Sequence, residues 1–329
     1  MTTVETTREA IETVCLSALT AHGAHPDNAR PVAQAIAKAE ADGNRVCGLF
    51  YLPVFCRHLA IGKVDGNAAP AVTARGATVT VDARCGFAHP AIAAGTPALI
   101  EAARRAGVGA MAVRNSYNCL ALAHHVQPLA ARGLIGLCVS NAPASVAPPG
   151  ALKALFGTNP LAFAVPSREG HPPVVVDQSM SAVTKTEMVL RRNRGEAIPA
   201  GWAQDGQGQP TTDPAAGLEG SLLPAGGRKG ANIALLVEIL AAALTGSALS
   251  TEASAFGNDE GGPPRVGQFL LAIDPGHFSA GRFPDAIGAL AAAHDAAGVR
   301  LPGRAKGGVS VEVDADLWEN CRVLGGDSA

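Results

Sequence analysis

LFGTNPLAFAVP, residues 155–166, places a turn directly before a strand. Turns favour Gly157, Asn159 and Pro160, and LAFAV at 161–165 is an apolar run of strand length. Such a turn presents backbone amides and the Thr158 hydroxyl at the edge of a sheet, where a small molecule can bind. Two interpretations stay open for Thr158: it contacts a ligand, or it belongs to a purely structural turn.

Around this stretch, the sequence changes from helical periodicity to alternating strands and helices. Helices are predicted at 4–21, 27–41, 50–61, 89–106, 120–132, 181–194, 232–245 and 283–297. Strands are predicted at 71–74, 77–82, 108–114, 134–140, 161–165, 173–176, 267–274 and 308–314. This mixed order predicts an α/β or α+β architecture.

The pattern divides the chain into two domains. Residues 1–66 predict a helical N-terminal domain, joined by 300–329, and residues 67–299 predict an α/β domain. A Gly/Pro-rich stretch at about 195–230 is dense in turn residues, which indicates a folded loop with specific turns.

Composition excludes several classes of protein. The net charge is −2 and aromatic residues make up 4%, so nucleic acid is not expected as a partner. Seven cysteines without a CxxC pair favour neither a zinc ribbon nor a disulfide framework, and indicate a reducing compartment. The N-terminus lacks the pattern of a signal peptide, and polar residues interrupt the longest apolar stretch, at 233–249. We therefore expect a cytoplasmic protein without a membrane span.

The glycine fingerprint of dinucleotide-binding Rossmann folds is absent. Gly107 and Gly109 form a GxG, but no third glycine follows at the required spacing. The pair also precedes a predicted strand, whereas the fingerprint follows a strand and opens a helix. A Rossmann fold is therefore not predicted.

Seven segments together resemble the malate/L-lactate dehydrogenase-like family of NAD(P)-dependent oxidoreductases, and they occur in the family's order. They are ADGNRVCGLFYLP (41–53), RNSYNCLALAHHV (114–126), LFGTNPLAFAVP (155–166), VVVDQSMSAV (174–183), IPAGWAQDGQGQPTTDP (198–214), LLPAGGRKG (222–230) and GQFLLAIDP (267–275). The greatest similarity is to the cyclic ketimine reductases that act on piperideine- and pyrroline-carboxylates. Ureidoglycolate, sulfolactate and malate dehydrogenases are more distant.

The resemblance implies a non-Rossmann α/β fold that binds NAD(P), with a helical N-terminal domain. It also implies a homodimer with the active site between domains, and a cofactor- and substrate-binding role for residues 67–299. NADPH or NADH is the implied cofactor, with NADPH favoured, and no metal is expected.

The first signature of the family, roughly Asp-Gly-x-x-Ser-His-Gly, is altered in this chain. In the family its His is the proton donor and its Ser orients the His, but Val46 and Cys47 stand at those positions. Tyr51 stands where ketimine reductases place an arginine for the substrate carboxylate. A phenol gives one hydrogen bond and lacks the bidentate charged contact of a guanidinium. Cys47 is thus a catalytic candidate or a small buried filler, and Tyr51 is a candidate substrate contact.

The second signature lies in the loop that contacts the nicotinamide in the family. Asn118 replaces a histidine and cannot accept a proton at neutral pH, although it can still hydrogen-bond substrate or cofactor. The implied cofactor contacts are Tyr117, Asn118, Cys119, Leu120 and Ala121. We interpret the neighbouring His124 and His125 as a pair on one helix face and not as ligands.

Two further segments match the family at the substrate and cofactor. The resemblance implies a substrate contact at Thr158 and cofactor contacts at Asp177, Gln178 and Ser179. Ten residues after Asp177, where ketimine reductases carry a catalytic aspartate, this chain has Glu187. Lys185 and Glu187 are unusual charges in an apolar stretch; the alternative is a solvated helix face.

Basic residues beside glycines supply the remaining cofactor contacts. Arg228 and Lys229 precede a predicted helix and suit a pyrophosphate. Arg300 and Gly303 match another cofactor contact of the family, after which the chain is several residues shorter before Gly308.

Three functions are compatible with these residues. The first is a reductase that transfers hydride from NAD(P)H to a C=N carbon, such as that of a cyclic imine, because a protonated iminium accepts hydride without a strong general acid. The second is a 2-hydroxy-acid dehydrogenase of the same family. The third is a repurposed or non-catalytic descendant that binds the cofactor.

Overall fold

The computed structural model describes residues 2–168, 171–303 and 310–326. Ten α-helices lie in these ranges: α1 (Arg8–Ala21), α2 (Pro26–Ala41), α3 (Leu52–Ala60), α4 (Ala88–Ala106), α5 (Ala123–Ala130), α6 (Lys185–Arg194), α7 (Pro214–Glu219), α8 (Arg228–Glu238), α9 (Phe283–Ala296) and α10 (Ala315–Leu324). Short 3-10 turns lie at Arg45–Cys47, Leu49–Tyr51 and Pro275–His277, and a π turn, Ile239–Ala243, extends α8.

Twelve strands lie in the same ranges. They are β1 (Thr3–Thr6), β2 (Ala71–Arg75), β3 (Thr78–Asp82), β4 (Val108–Ser116), β5 (Ile135–Ser140), β6 (Leu161–Val165), β7 (Val174–Gln178), β8 (Ala203–Gln204), β9 (Pro210–Thr211), β10 (Ser221–Leu222), β11 (Val266–Ile273) and β12 (Val311–Asp314). The predicted mixed α/β class is therefore confirmed.

A seven-stranded mixed sheet forms the centre of the molecule. Its order is β2-β3-β4-β11-β5-β6-β7, and only the β3–β4 pair is parallel. Helix α4 packs closely on β4, since a Cβ at Gly109 would lie 2.6 Å from the Leu99 carbonyl oxygen. Buried side chains such as Met111, Val113 and Leu270 form the core beneath α4 and α5.

A second hydrophobic cluster joins the N-terminal helices to the C-terminal segment. It combines α1, α2 and α3 with Val311, Val313 and Cys321. Residues 4–6, predicted as helix, instead form β1, which pairs with β12 in the register Thr3↔Asp314 to Thr6↔Val311. That partner lies about 300 residues away along the chain, so local periodicity could not reveal it.

The Gly/Pro-rich stretch is folded, as predicted. It contains α7 and a small antiparallel sheet of order β10-β8-β9. Met188 of α6 packs with Val146, Ile198 and Leu222 in the core of this region.

Several predicted boundaries were wrong, and local capping explains one of them. Helix α6 begins at Lys185 and not at 181, because the Thr184 side chain accepts the N–H of Glu187 and caps the helix. Helix α8 begins at Arg228, four residues before the predicted start, directly after Gly227 with φ +62°. The last predicted strand begins at Val311, and positions 308 and 309 lie outside the described residues.

All seven thiols are free and five are buried. No helix in the described part of the chain has the length and apolar character needed to cross a membrane.

Candidate active site

Three separate segments meet at the hydroxyl of Tyr51. This side chain, in the second 3-10 turn, hydrogen-bonds with the side chains of Thr186 and Asn118. Asn118 is held in turn, because its Oδ1 accepts the N–H of Leu120 at 2.9 Å. Burial raises the pKa of Tyr51, so the phenol stays protonated and available as a donor. The structure therefore brings together two of the predicted substrate contacts, Tyr51 and Asn118.

Cys47 lies beside this cluster, half-buried in the first 3-10 turn. Burial raises the pKa of its thiol to about 12, and the negative charge of Asp177 acts in the same direction. A hydrogen bond with the side chain of Asn44 opposes the shift only partly. The thiol is therefore neutral near pH 7 and a much weaker acid than an imidazolium.

Gly48 follows Cys47 and matches the last glycine of the first signature, and it has a packing role. Glu40 of α2 accepts the N–H of Leu49 at 2.8 Å, and its carboxylate oxygen would lie 2.3 Å from a Cβ at position 48. Any side chain at Gly48 would displace Glu40 and with it the turn that carries Cys47.

The turn at 157–160 lies between β6 and α8. Asn159 is fully buried with φ +38°, and its Nδ2 donates to Ala234 O at 3.0 Å and to Glu238 Oε2 at 2.8 Å. Thr158 is half-buried, and its carbonyl accepts the N–H of Met180 at 2.8 Å. Asn159 therefore fixes the turn from behind, which leaves Thr158 as its candidate for ligand contact.

A cleft of about 230 Å³ lies between α2, α5 and β7. Its lining includes four predicted cofactor contacts: Ala121, Asp177, Arg300 and Gly303. Lys38 and Asn44 contribute to its lining from α2 and the residues after it. The structure thus gathers residues from distant parts of the sequence around one concave surface.

Asp177 is oriented by the start of α5. Its Oδ2 accepts the N–H of Ala123 at 2.8 Å, and the N–H of Leu122 also donates to this carboxylate. The surrounding protein raises the pKa of Asp177 more than these hydrogen bonds lower it, although the side chain opens onto the cleft. Asp177 therefore joins β7 to the loop that carries Asn118 and Ala121.

Several predicted cofactor contacts do not present their side chains to the cleft. Tyr117 is fully buried in an aromatic cluster with Phe55, Phe87 and Phe256, and its hydroxyl hydrogen-bonds with His58 Nδ1. Any cofactor contact at Tyr117 must therefore use its backbone.

Three other predicted side chains are also engaged or covered, and a fourth is exposed. Cys119 and Leu120 are 5% and 8% exposed, and the Ser179 hydroxyl donates to Ser181 O at 3.1 Å. Gln178 is exposed at the end of β7.

The Glu187 side chain pairs with a residue one turn further along its own helix. Its carboxylate lies 3.0 Å from Arg191 Nε, and Arg191 also lies over the Trp202 ring. Glu187 is not among the residues that line the cleft, but it follows Thr186, which contacts Tyr51. Its predicted catalytic role remains a prediction.

Arg228 and Lys229 are exposed at the start of α8, outside the lining of the cleft. The preceding glycines, Gly226 and Gly227, have φ of +68° and +62° and form a left-handed turn that L side chains disfavour. The N–H of Ala225 donates to Met180 O, and Met180 donates to Thr158 O, each at 2.8 Å. The backbone of Met180, in the segment that follows β7, therefore connects the residues before the basic pair to the Thr158 turn.

The two histidines of α5 form a trio with His89, in which His89 and His125 are buried while His124 is half-buried and lines the cleft. Ring centroids of His89 and His125 lie 5.1 Å apart, and His125 Nε2 lies 3.2 Å from the Cys119 carbonyl oxygen. Burial lowers the pKa of His125 to about 3 and that of His124 to about 4, so both are neutral. No set of His, Cys, Asp and Glu in the described residues is arranged to hold a metal ion.

The sequence did not single out three residues that contribute to the site: Asn44, Thr186 and Lys38. Asn44 contacts Cys47, Thr186 contacts Tyr51, and Lys38 lines the cleft. Only Thr186 carried a local signal, since it lies between the unusual charges Lys185 and Glu187.

Comparisons with known proteins agree with this architecture. The malate/L-lactate dehydrogenase family matches residues 6–307. The chain is 42% identical over 322 residues to a (2R)-3-sulfolactate dehydrogenase (NADP(+)) of Chromohalobacter salexigens, covering 96% of each chain. It is also 42% identical over 285 residues to a Delta(1)-pyrroline-2-carboxylate/Delta(1)-piperideine-2-carboxylate reductase of Pseudomonas putida, covering 86% of this chain and 83% of the relative.

A solved structure extends the similarity to three dimensions. The delta1-piperideine-2-carboxylate reductase of Pseudomonas syringae superimposes with a TM-score of 0.91 at 36% identity, covering 98% of this chain and 100% of that one. The resemblance inferred from the seven segments is thereby confirmed, together with the non-Rossmann fold. The chain belongs to the malate/L-lactate dehydrogenase family.

Proposed function

We propose that this protein is an NADPH-dependent reductase that transfers hydride to the C=N carbon of a small cyclic imine carrying an acid group. The proposal combines the altered site with relatives that include pyrroline- and piperideine-carboxylate reductases. The observation that carries it is the chemistry of the cluster around Cys47.

The groups in this cluster are poor proton donors. Cys47 has a pKa of about 12, the pKa of Tyr51 is raised, and Asn118 does not titrate. General acid catalysis is most effective when the pKa of the acid lies near the working pH. A ketone needs a proton at the developing alkoxide, whereas a protonated imine already carries its proton. The cluster therefore suits C=N reduction better than C=O reduction.

The chain offers groups that fit a dinucleotide cofactor. The side chains of Arg228 and Lys229 are exposed and form no hydrogen bond or ion pair within the described residues, and they follow the left-handed glycine turn at the start of α8. The cleft at Asp177 and Arg300 offers a second, concave surface of mixed polarity. When bound, the nicotinamide supplies the hydride. Arg228 and Lys229 would hold the pyrophosphate, and Asp177 and the Asn118–Ala121 loop would border the cofactor.

The remaining residues orient the substrate and stabilise its charge. Tyr51, Asn118 and Thr158 would donate or accept neutral hydrogen bonds around the ring. Glu187, paired with Arg191, would supply negative charge toward the iminium. Cys47 would fill the position beside Asp177 without transferring a proton.

A second candidate function is a 2-hydroxy-acid dehydrogenase acting on a sulfolactate-like substrate. It is favoured by the match to the sulfolactate dehydrogenase over 96% of both chains. This candidate needs a proton acceptor in the oxidation direction, and Cys47 and Asn118 are weak groups for that role.

A substrate panel distinguishes the two functions. NADPH consumption is followed with Delta(1)-pyrroline-2-carboxylate, Delta(1)-piperideine-2-carboxylate and 3-sulfopyruvate, the 2-oxo acid corresponding to 3-sulfolactate. The proposal expects kcat/KM at least about tenfold higher for one imine than for the 2-oxo acid, the size of a modest general-acid effect. Turnover of the 2-oxo acid alone would establish the second candidate instead.

We also propose a homodimer. Helix α8 and its π turn expose a continuous apolar face that includes Ile233, Leu236, Ile239 and Leu244, each more than 40% exposed. Apolar faces of this kind are typical of subunit interfaces. Sedimentation at micromolar concentration should give twice the 33.1 kDa chain mass, and an active monomer would contradict the proposal.

A further inference from the structure

The substrate site has lost its usual cation, because Tyr51 stands where ketimine reductases have an arginine. The described relatives nonetheless act on acids: pyrroline-2-carboxylate, piperideine-2-carboxylate and 3-sulfolactate. A buried-site phenol can give an anion one neutral hydrogen bond but no charge. If the substrate of this protein is also an acid, another cation has to balance it.

Lys185 is the basic side chain adjacent in sequence to the Tyr51 contact. It is the first residue of α6, and the next residue, Thr186, hydrogen-bonds with the Tyr51 hydroxyl. The segment that leads into α6 packs on the Thr158 turn through the 2.8 Å hydrogen bond from Met180 N to Thr158 O. Lys185 therefore belongs to the helix turn that Thr186 joins to Tyr51, a candidate substrate contact.

Two of the other three cations of α6 are already engaged, and the third, Arg194, is exposed at the opposite end of the helix. Arg191 lies 3.0 Å from Glu187 and 3.6 Å from Glu196, and Arg192 hydrogen-bonds with Asn193. Lys185 forms no ion pair or hydrogen bond with any described residue. Its ammonium group is thus free to receive an anion.

The Lys185 ammonium group is partly dehydrated by the protein around it. The side chain is exposed, yet nearby protein displaces enough water to lower the pKa of its ammonium group. A cation that is partly dehydrated and unpaired gains more from an incoming carboxylate than a fully hydrated surface lysine does.

We infer that Lys185 binds the acid group of the substrate and replaces the arginine that Tyr51 has displaced. The inference rests on the proposed function, and it makes Lys185 a determinant of specificity for anionic imines. Tyr51 and Thr186 are then the uncharged side chains next to the bound acid group.

The test compares Lys185→Met and Lys185→Arg with Arg192→Met, a control that removes an exposed cation from the same helix. Each variant is assayed with Delta(1)-pyrroline-2-carboxylate and with Delta(1)-pyrroline, the same ring without the carboxylate. Lys185→Met should raise KM for the carboxylate at least about tenfold, as expected for a lost charged hydrogen bond. It should leave kcat within about threefold and the kinetics with Delta(1)-pyrroline unchanged. Lys185→Arg should restore KM, and Arg192→Met should behave as wild type.

Two outcomes would overturn the inference. One is an unchanged KM for the carboxylate in Lys185→Met, and the other is an equal loss with both rings, which would indicate a role in folding or in cofactor binding. NADPH affinity, measured by fluorescence titration, should stay constant across all variants. Failure of the proposed function is a different result: wild-type protein that binds NADPH but reduces neither ring.

Discussion

The turn at 157–160 and the turns at 45–51 are both signature regions of the family, but they differ in what they retain. In the first, Asn159 is buried and joined to Glu238, which also accepts the N–H and the hydroxyl of Ser250 at 2.6 Å each. In the second, Gly48 still accommodates Glu40, while the positions for chemistry hold Cys47 and Tyr51. We propose that residues that build the backbone are kept in both signatures, and that residues that transfer protons or bind charge in the family are replaced in the second.

If this proposal holds, the fold and the reaction depend on separate residues of the same signatures. A buried amide with two hydrogen bonds cannot be replaced without leaving polar groups unpaired. A side chain that faces substrate can change whenever the substrate brings its own proton. The comparison can be tested on the scaffold side, by stability measurements on the turn at 157–160, and on the chemical side, by activity measurements.

The largest effect is expected on the scaffold side, for Asn159→Ala. This substitution removes the bonds to Ala234 and Glu238 and leaves buried polar atoms without partners, so it should lower the free energy of unfolding by about 2–4 kcal/mol. Urea unfolding measures the change, with the exposed Asn193→Ala as a control within about 0.5 kcal/mol. An Asn159→Ala protein as stable as wild type would mean that the hydrogen bonds of Asn159 do not stabilise the turn.

On the chemical side, Glu187→Gln should lower kcat for the imine by about 10²-fold, the usual size of an acid-base or charge effect. Cys47→Ala should cost less than about threefold, because a neutral thiol with a pKa of about 12 contributes little. Both variants are compared on one substrate, with thermal melts to verify folding. The reverse ranking would show that the thiol has taken over the role of the family's histidine.

Cofactor binding should depend on the start of α8. Loss of one charged hydrogen bond to the pyrophosphate predicts at least about tenfold weaker NADPH binding for Lys229→Ala and for Arg228→Ala. Fluorescence titration of NADPH gives the dissociation constants, and Lys153→Ala, an exposed lysine of another loop, is the control. Changes below about twofold in both variants would remove this pair from the site.

The smallest effect concerns acid stability through the histidine trio. Burial lowers the pKa of His89 and His125 below 6.5. Burial also lowers the pKa of His124; the charges of Lys38 and Arg8 act in the same direction, and that of Asp42 opposes them. Below pH 6.5 the unfolded chain therefore binds protons that the folded chain does not, and stability falls as pH falls. Between pH 6.5 and about 5.5 each fully buried histidine should cost about 1 kcal/mol.

His89→Leu tests this dependence, because neither ring nitrogen of His89 has a partner among the described residues. The variant should lose about 1 kcal/mol less than wild type over the same pH interval. Unfolding curves at the two pH values provide the measurement, and identical pH dependence in both proteins would exclude His89 as a source.

Much of the fold was predictable because it depends on local pattern and on contiguous motifs. Strands such as 161–165 and helices such as α4 were found within one or two residues, and seven ordered segments identified the family. The β1–β12 pair was missed because its partners are separated by almost the whole chain.

For the candidate site, the sequence could predict which residues belong together but not the directions of their side chains. Sequence placed Asp177, Ala121, Arg300 and Gly303 in one functional group, and the cleft gathers them. It could not show that Tyr117 turns into an aromatic core, nor that Glu187 is paired along its helix, because side-chain direction depends on tertiary packing.

The central claim is that Val46 and Cys47, in place of the family's Ser and His, restrict the protein to imine substrates whose nitrogen is already protonated. The most direct measurement is kcat/KM for Delta(1)-pyrroline-2-carboxylate and for 3-sulfopyruvate, in wild type and in the double variant Val46→Ser, Cys47→His. The account predicts that the double variant gains at least about tenfold on the 2-oxo acid, as a general acid is restored, and stays within about threefold on the imine. Wild-type protein that reduces the 2-oxo acid as well as the imine, with no gain in the double variant, would contradict it.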